Sequence, residues 1–335
     1  MNKEKIEFAK LFSNCKKKAI TSVRECYYPE CKTQSINSHI LQKNGILSSI
    51  APKKHLWELG INHYKSPPFR FERNGLNQIF SFNCFCEKHD NSLFKKIESE
   101  VIDFSDYETC LLFTLRTIYN EIFRKEVNSK TFECLIQEKD GSYNNAHFRE
   151  TLRQEKLGLD DLKLLENDIW SDFNNKTQSY IFNNRKIKRA EICLSSFYTY
   201  DTSIEIENYY YKFGKDMERT SEIYINSFPF EKHSILLMGY HKRDENKLKG
   251  YFNTFFKENE KKVQRRITNL MLFNCETWVV SDNFHKSKIE GIEDLYATAV
   301  TYTGNNKNER KTFDLNFFNE DFKTKFQQWK NNNVG

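Results

Sequence analysis

The sequence predicts an α+β protein in three parts, and three observations carry that reading. Cysteine and histidine cluster within the first hundred residues, at Cys26-x4-Cys31 and Cys86-x2-His89. Between 99 and 175 apolar residues recur at helical spacing. Beyond 176 they alternate in short runs, as half-buried strands do, with helical patterns between them. The parts are residues 1–100, a helical connector over 101–175, and an α+β domain with a mixed sheet over 176–335. A chain of 335 residues is long enough for two or three domains.

In chain order, Ile6, Phe8, Leu11 and Phe12 predict a helix within 1–24, ending in the basic run Lys16–Lys18. Asn44-Gly45 marks a turn. Trp57, Phe69, Phe71, Phe80, Phe82 and Phe85 supply a small aromatic core. Leu93, Phe94 and Ile97 predict a helix opening at Asp90. Ser105 and Glu108 have the spacing of a capping box, ahead of an apolar face from Leu111 to Phe123. A second helix is predicted from Leu159 to Phe173, with breaks at Asp140-Gly141 and Gly158. Strands are predicted at 187–197, 203–207, 221–225, 234–240 and 277–280. Helices are predicted at 248–256, 263–273 and 289–300, a polar loop at 305–311, and a frayed tail at 331–335.

Composition narrows the classes. Hydrophobic residues make up 38%, charged residues 29%, and mean hydropathy is -0.76. No apolar run approaches the length of a membrane span, and no signal-peptide core follows the charged N-terminus. The expectation is a soluble, cytoplasmic protein with no membrane partner. Nine cysteines, odd in number and scattered, do not form a disulfide framework. Outside the two clusters they read as small core residues.

The net charge of +6 is unevenly spread. Residues 1–100 hold 17 Lys+Arg against 10 Asp+Glu, and the remainder hold 35 against 36. An excess confined to the first hundred residues fits nucleic acid as partner. It fits a lysine-rich solvated surface equally well. A partner protein engaged through the C-terminal domain is the other expected contact.

The two Cys/His pairs have the bite of one tetrahedral zinc site. Cys26 and Cys31 would flank a knuckle turned at Pro29, and Cys86 and His89 would sit at a helix N-terminus. That is treble-clef geometry, with Cys26, Cys31, Cys86 and His89 as ligands. Cys84 competes with Cys86, but Cys-x2-His is the better bite.

With Ser38-His39-Ile40 between the pairs and Asp90 after the second, residues 20–100 resemble a zinc-containing HNH (His-Me finger) endonuclease module. The resemblance implies a ββα unit that hydrolyses phosphodiesters. It implies His39 as general base on water, and Asp90 in place of the helix histidine that binds a catalytic Mg²⁺ or Mn²⁺. Asn62, or alternatively Asn91, would be the central asparagine, and the zinc would be structural. Small nuclease modules joined to unfamiliar domains also occur in bacterial anti-phage defence. Ser38 stands where the family usually has an acidic or histidine metal ligand. Together with Asp90, that keeps a second reading open, a non-catalytic zinc module binding nucleic acid or a partner protein. A third reading places the function in residues 176–335. Tyr209–Tyr211 there read as base-stacking rings or as a strand-end core cluster.

Overall fold

The computed structural model describes residues 3–61, 69–138, 145–214, 219–295 and 315–333. The chain opens with α1 (Lys3–Ser22). Strand β1 (Asn37–His39) leads through short helical turns at 43–50 to the hairpin β2 (His55–Ile61) and β3 (Phe69–Gly75). Strand β4 (Ser81–Asn83) then returns to pair with β1, with Ser38 opposite Phe82, and α2 (Glu87–Phe94) follows. Strands β1 and β4 with α2 form a ββα unit, from which the β2–β3 hairpin projects.

Two 30-residue helices come next, α3 (Tyr107–Ile136) and α4 (Ala146–Asn175). The predicted capping box does not form. Ser105 Oγ donates to Asp103 at 2.6 Å, and Asp106 caps α3 by accepting from the Thr109 N–H at 2.7 Å. Helix α4 runs unbroken through Gly158, against prediction. A Cβ at that position would lie 2.7 Å from Lys125 Cε on α3, so this glycine serves close helix approach rather than a break.

The remaining elements are β5 (Tyr180–Lys188), β6 (Ile192–Thr199), α5 (Ser203–Phe213), β7 (Glu222–Phe230), β8 (His233–His241), α6 (Glu245–Lys257), α7 (Glu260–Phe273), β9 (Trp278–Val280), α8 (Asp282–Lys288) and α9 (Phe322–Asn333). Four predictions need correction. The 187–197 strand is two strands, because the chain leaves one and enters the next at 189–191. The 203–207 segment is the first turn of α5, where Thr202 and Glu205 cap reciprocally. Residues 331–333 continue α9 instead of fraying, while 289–294 form turns. The 305–311 loop, Asp140-Gly141 and residues 296–300 of the predicted 289–300 helix lie outside the described residues.

Strands order β3-β2-β9-β6-β7-β8-β5 in one sheet. Among the described residues every pairing is antiparallel, which corrects the predicted mixed sheet. The connections explain it. Strands β7 and β8 close through a two-residue turn with Glu231 at φ 51°, and α6–α7 deliver β9 antiparallel to both β6 and β2. The β2–β3 hairpin, expected to belong to the N-terminal part, thus extends the sheet of the C-terminal part.

Side-chain alternation buries both sheet faces. Tyr224, Phe228, Ile235 and Leu237 join one apolar cluster with α3, α4 and the ββα unit. Ile223, Ile225, Leu236 and Met238 join another with α6–α9. Each such aliphatic side chain contributes about 1.5–3 kcal/mol by leaving water. A disulfide between Cys15 and Cys134 ties α1 to α3, contrary to the expectation of thiols alone. The two positions are 119 residues apart, so local spacing gave no signal. Among the described residues no helix is long and apolar enough to cross a membrane.

Candidate metal centre and the histidine beside it

The knuckle is built by backbone hydrogen bonds. The Cys26 N–H donates to Thr33 O at 2.9 Å, and the Cys31 N–H to Tyr28 O at 3.0 Å. Glu30 takes φ 65°, the left-handed conformation this tight reversal requires. Opposite it, Cys86 is the N-cap of α2, so the helix presents Cys86 and His89 one turn apart. The Cys86 N–H donates to Cys26 Sγ at 3.2 Å. His89 Nδ1 lies 3.5 Å from Cys26 Sγ and 3.4 Å from Cys86 Sγ. One donor atom each from Cys26, Cys31, Cys86 and His89 falls within 4.8 Å of all the others.

Two details fix this set. The Tyr28 ring stacks on the His89 imidazole, centroids 3.9 Å apart at 20°, and so holds its orientation. Cys84 is buried outside the cluster, where burial pushes its thiol well up. Cys86 is therefore the member of the group. Burial pushes Cys26 up to about 11, whereas hydrogen bonds from Thr33 lower the half-buried Cys31. Three thiols and an imidazole at this spread are the donor chemistry and reach of a tetrahedral zinc.

His39 ends β1, and its Nε2 lies 2.6 Å from Leu76 O. A carbonyl only accepts, so Nε2 carries the proton and Nδ1 the lone pair. Among the described residues the ring makes no other hydrogen bond. Burial, with Lys43 and Arg116 nearby, holds its pKa below the ordinary histidine value, and the Leu76 carbonyl opposes this. His39 is half-buried and stays a neutral base at pH 7.

Asp90 is 9% exposed, on the third position past Glu87 in α2. Its Oδ2 lies 3.8 Å from Arg116 of α3, and its Oδ1 is buried with no hydrogen-bond partner. Arg116 is itself 2% exposed, pairs with Glu98, and lies 4.0 Å over the Phe94 ring. The buried carboxylate thus already has a cation. Apart from the Cys/His set, the described residues form one further group of three potential ligands, Cys15, Cys134 and Glu138, and the first two are bonded together. His39 and Asp90 do not join a third such ligand. The described residues therefore bring no third His, Cys or carboxylate ligand to a Mg²⁺ or Mn²⁺ beside His39 and Asp90.

Asn62 and His63 lie outside the described residues, and Asn91 is exposed on α2. His55 bonds its own loop through Lys53 O at 2.8 Å. Ser38 is buried, its hydroxyl without a partner. Sequence reading missed Arg116, Leu76 and Tyr28. Arg116 and Leu76 act from segments with no local motif, whereas Tyr28 lies within the Cys26–Cys31 knuckle and its stacking on His89 appears only once α2 is brought beside it. Compared with known protein families, curated proteins and solved structures, the chain matches none.

Proposed function

We propose that the ββα unit is a zinc-stapled module that hydrolyses phosphodiester bonds of nucleic acid, with His39 as general base. The observation that supports this reading is the Nε2–Leu76 contact. It leaves Nδ1 as the acceptor of a buried-side, neutral imidazole, the state a base near pH 7 requires. Cys26, Cys31, Cys86 and His89 would hold the zinc, which supplies folding free energy and no chemistry. His39 would take a proton from water as the water oxygen bonds to phosphorus and the bond to the leaving oxygen breaks. Lys43, close enough to bias His39, supplies positive charge beside it.

Plasmid nicking by wild type and His39→Ala tests this, in Mg²⁺, in Mn²⁺ and in EDTA. Nicking lost in the variant supports it, and equal nicking by both ends it. Because the His39 pKa is lowered, activity should hold to below about pH 6.5 before falling with protonation of the base.

One observation favours a second reading, a module that binds nucleic acid or a partner without cleaving. Arg116 neutralises Asp90, the residue that would otherwise take a hard cation. Retention of nucleic-acid binding with no cleavage under any of the three conditions would select it.

A further inference from the structure

A cavity of about 910 Å³ opens between α3, α4, β6 and α5, remote in sequence from the Cys/His set. Its volume is in the range of small-molecule sites. Helix α5 covers one side, and none of its described side chains is buried. An 11-residue helix is marginal in water by itself, so such a helix gains from whatever covers it. Its apolar residues include Tyr210, 37% exposed, and Tyr211, 77% exposed, and both line the cavity beside Phe197 and Tyr198.

The lining carries seven carboxylates against three cations. All three cations are already engaged. Arg124 pairs with Glu121 and Glu276, Lys125 with Glu155, and Arg153 with Glu150. Asp161 and Glu222 have no ion pair among the described residues; the nearby Arg219 is itself paired with Asp244, and threonine hydroxyls serve the two carboxylates instead. Thr220 reaches Glu222 at 2.6 Å and Asp161 at 3.4 Å, and Thr199 reaches Glu222 at 2.8 Å. Burial pushes both carboxyls upward, a cost that a cation in the cavity would relieve.

We propose that this cavity binds a small organic polycation, ammonium groups separated by methylenes. The ammonium groups lie against Asp161 and Glu222, and the methylenes lie on Tyr211, since the Arg153 guanidinium already stands 4.5 Å over the Tyr210 ring. Carboxylates alone would suit a bare metal ion. The aromatic wall selects a ligand with an apolar body, and ring faces also attract ammonium. The proposal is independent of any nuclease activity.

Calorimetric titration of the full chain with spermidine, at about 150 mM salt to screen diffuse attraction, tests it. Saturable binding tighter than about 1 mM is expected. Glu222→Gln and Tyr211→Ala should each weaken it about tenfold or more. Glu222 lies within the sheet, so the exposed Tyr211 provides the variant that keeps the fold. Amide exchange across 203–213 should slow when spermidine is bound. No saturation up to about 1 mM overturns the proposal, as does unchanged affinity in both variants or preferential binding of ATP.

Discussion

The ββα unit and the cavity beneath α5 solve the problem of buried polarity in opposite ways. In the first, four donor atoms converge within 4.8 Å and a buried carboxylate has its own arginine. In the second, Asp161 and Glu222 line an open cavity with threonine hydroxyls as side-chain hydrogen-bond partners and no ion pair among the described residues. A closed set of this kind stabilises, whereas the open one leaves its carboxylates without an ion pair among the described residues. The difference also separates what short-range spacing reveals from what only the assembled sheet reveals.

The largest expected effect strikes the closed set. Cys86→Ser should abolish a one-to-one zinc content measured by elemental analysis and lower Tm by many degrees. Structural zinc is worth on the order of 10 kcal/mol in isolated finger peptides. An unchanged Tm with zinc lost would make the metal incidental. Next is Arg116→Met, which strands Asp90 and Glu98. Breaking a buried pair costs about 3–5 kcal/mol, and Glu98 is partly exposed, so denaturant unfolding should read about 3.

A smaller loss is expected for Tyr119→Phe. The Tyr119 hydroxyl donates to Glu166 at 2.6 Å and accepts from Trp170 Nε1 at 2.6 Å, so its removal should cost about 1–3 kcal/mol. The smallest effect is a titration. Arg73 and the Trp57 N–H hold the Asp282 carboxyl down to about 2. A depressed carboxyl contributes stability above its unfolded value, near 3.9, that is lost as pH falls through its folded one. Asp282→Asn should therefore flatten stability between about pH 4 and pH 2, by about 1 kcal/mol or less for so exposed a pair.

The legible parts were those whose signal is local. Cys-x4-Cys and Cys-x2-His each lie on one turn, so their spacing alone identified the four donors that converge. The run 234–240 was readable as a central strand because both its faces are buried. By contrast, Ser203-Ile-Glu-Ile-Glu207 alternates like a strand, yet the Thr202–Glu205 cap and the lack of any sheet neighbour make it helix. Arg116 reads as one polar residue on an apolar helix until Asp90 and Glu98 are brought beside it. Sheet order was beyond reach for the same reason. Trp57 meets Val280 across more than 200 residues.

That last pairing bears on how the molecule can be divided. The β2–β3 hairpin leaves the chain between the two strands of the ββα unit and lies along β9. A fragment ending near residue 100 would therefore keep the donors but bare the ladder face of β2, a template for association. A fragment beginning near 176 would bare β9 in the same way. The two halves share one sheet, so a cut at either point exposes a strand edge that the intact chain keeps paired.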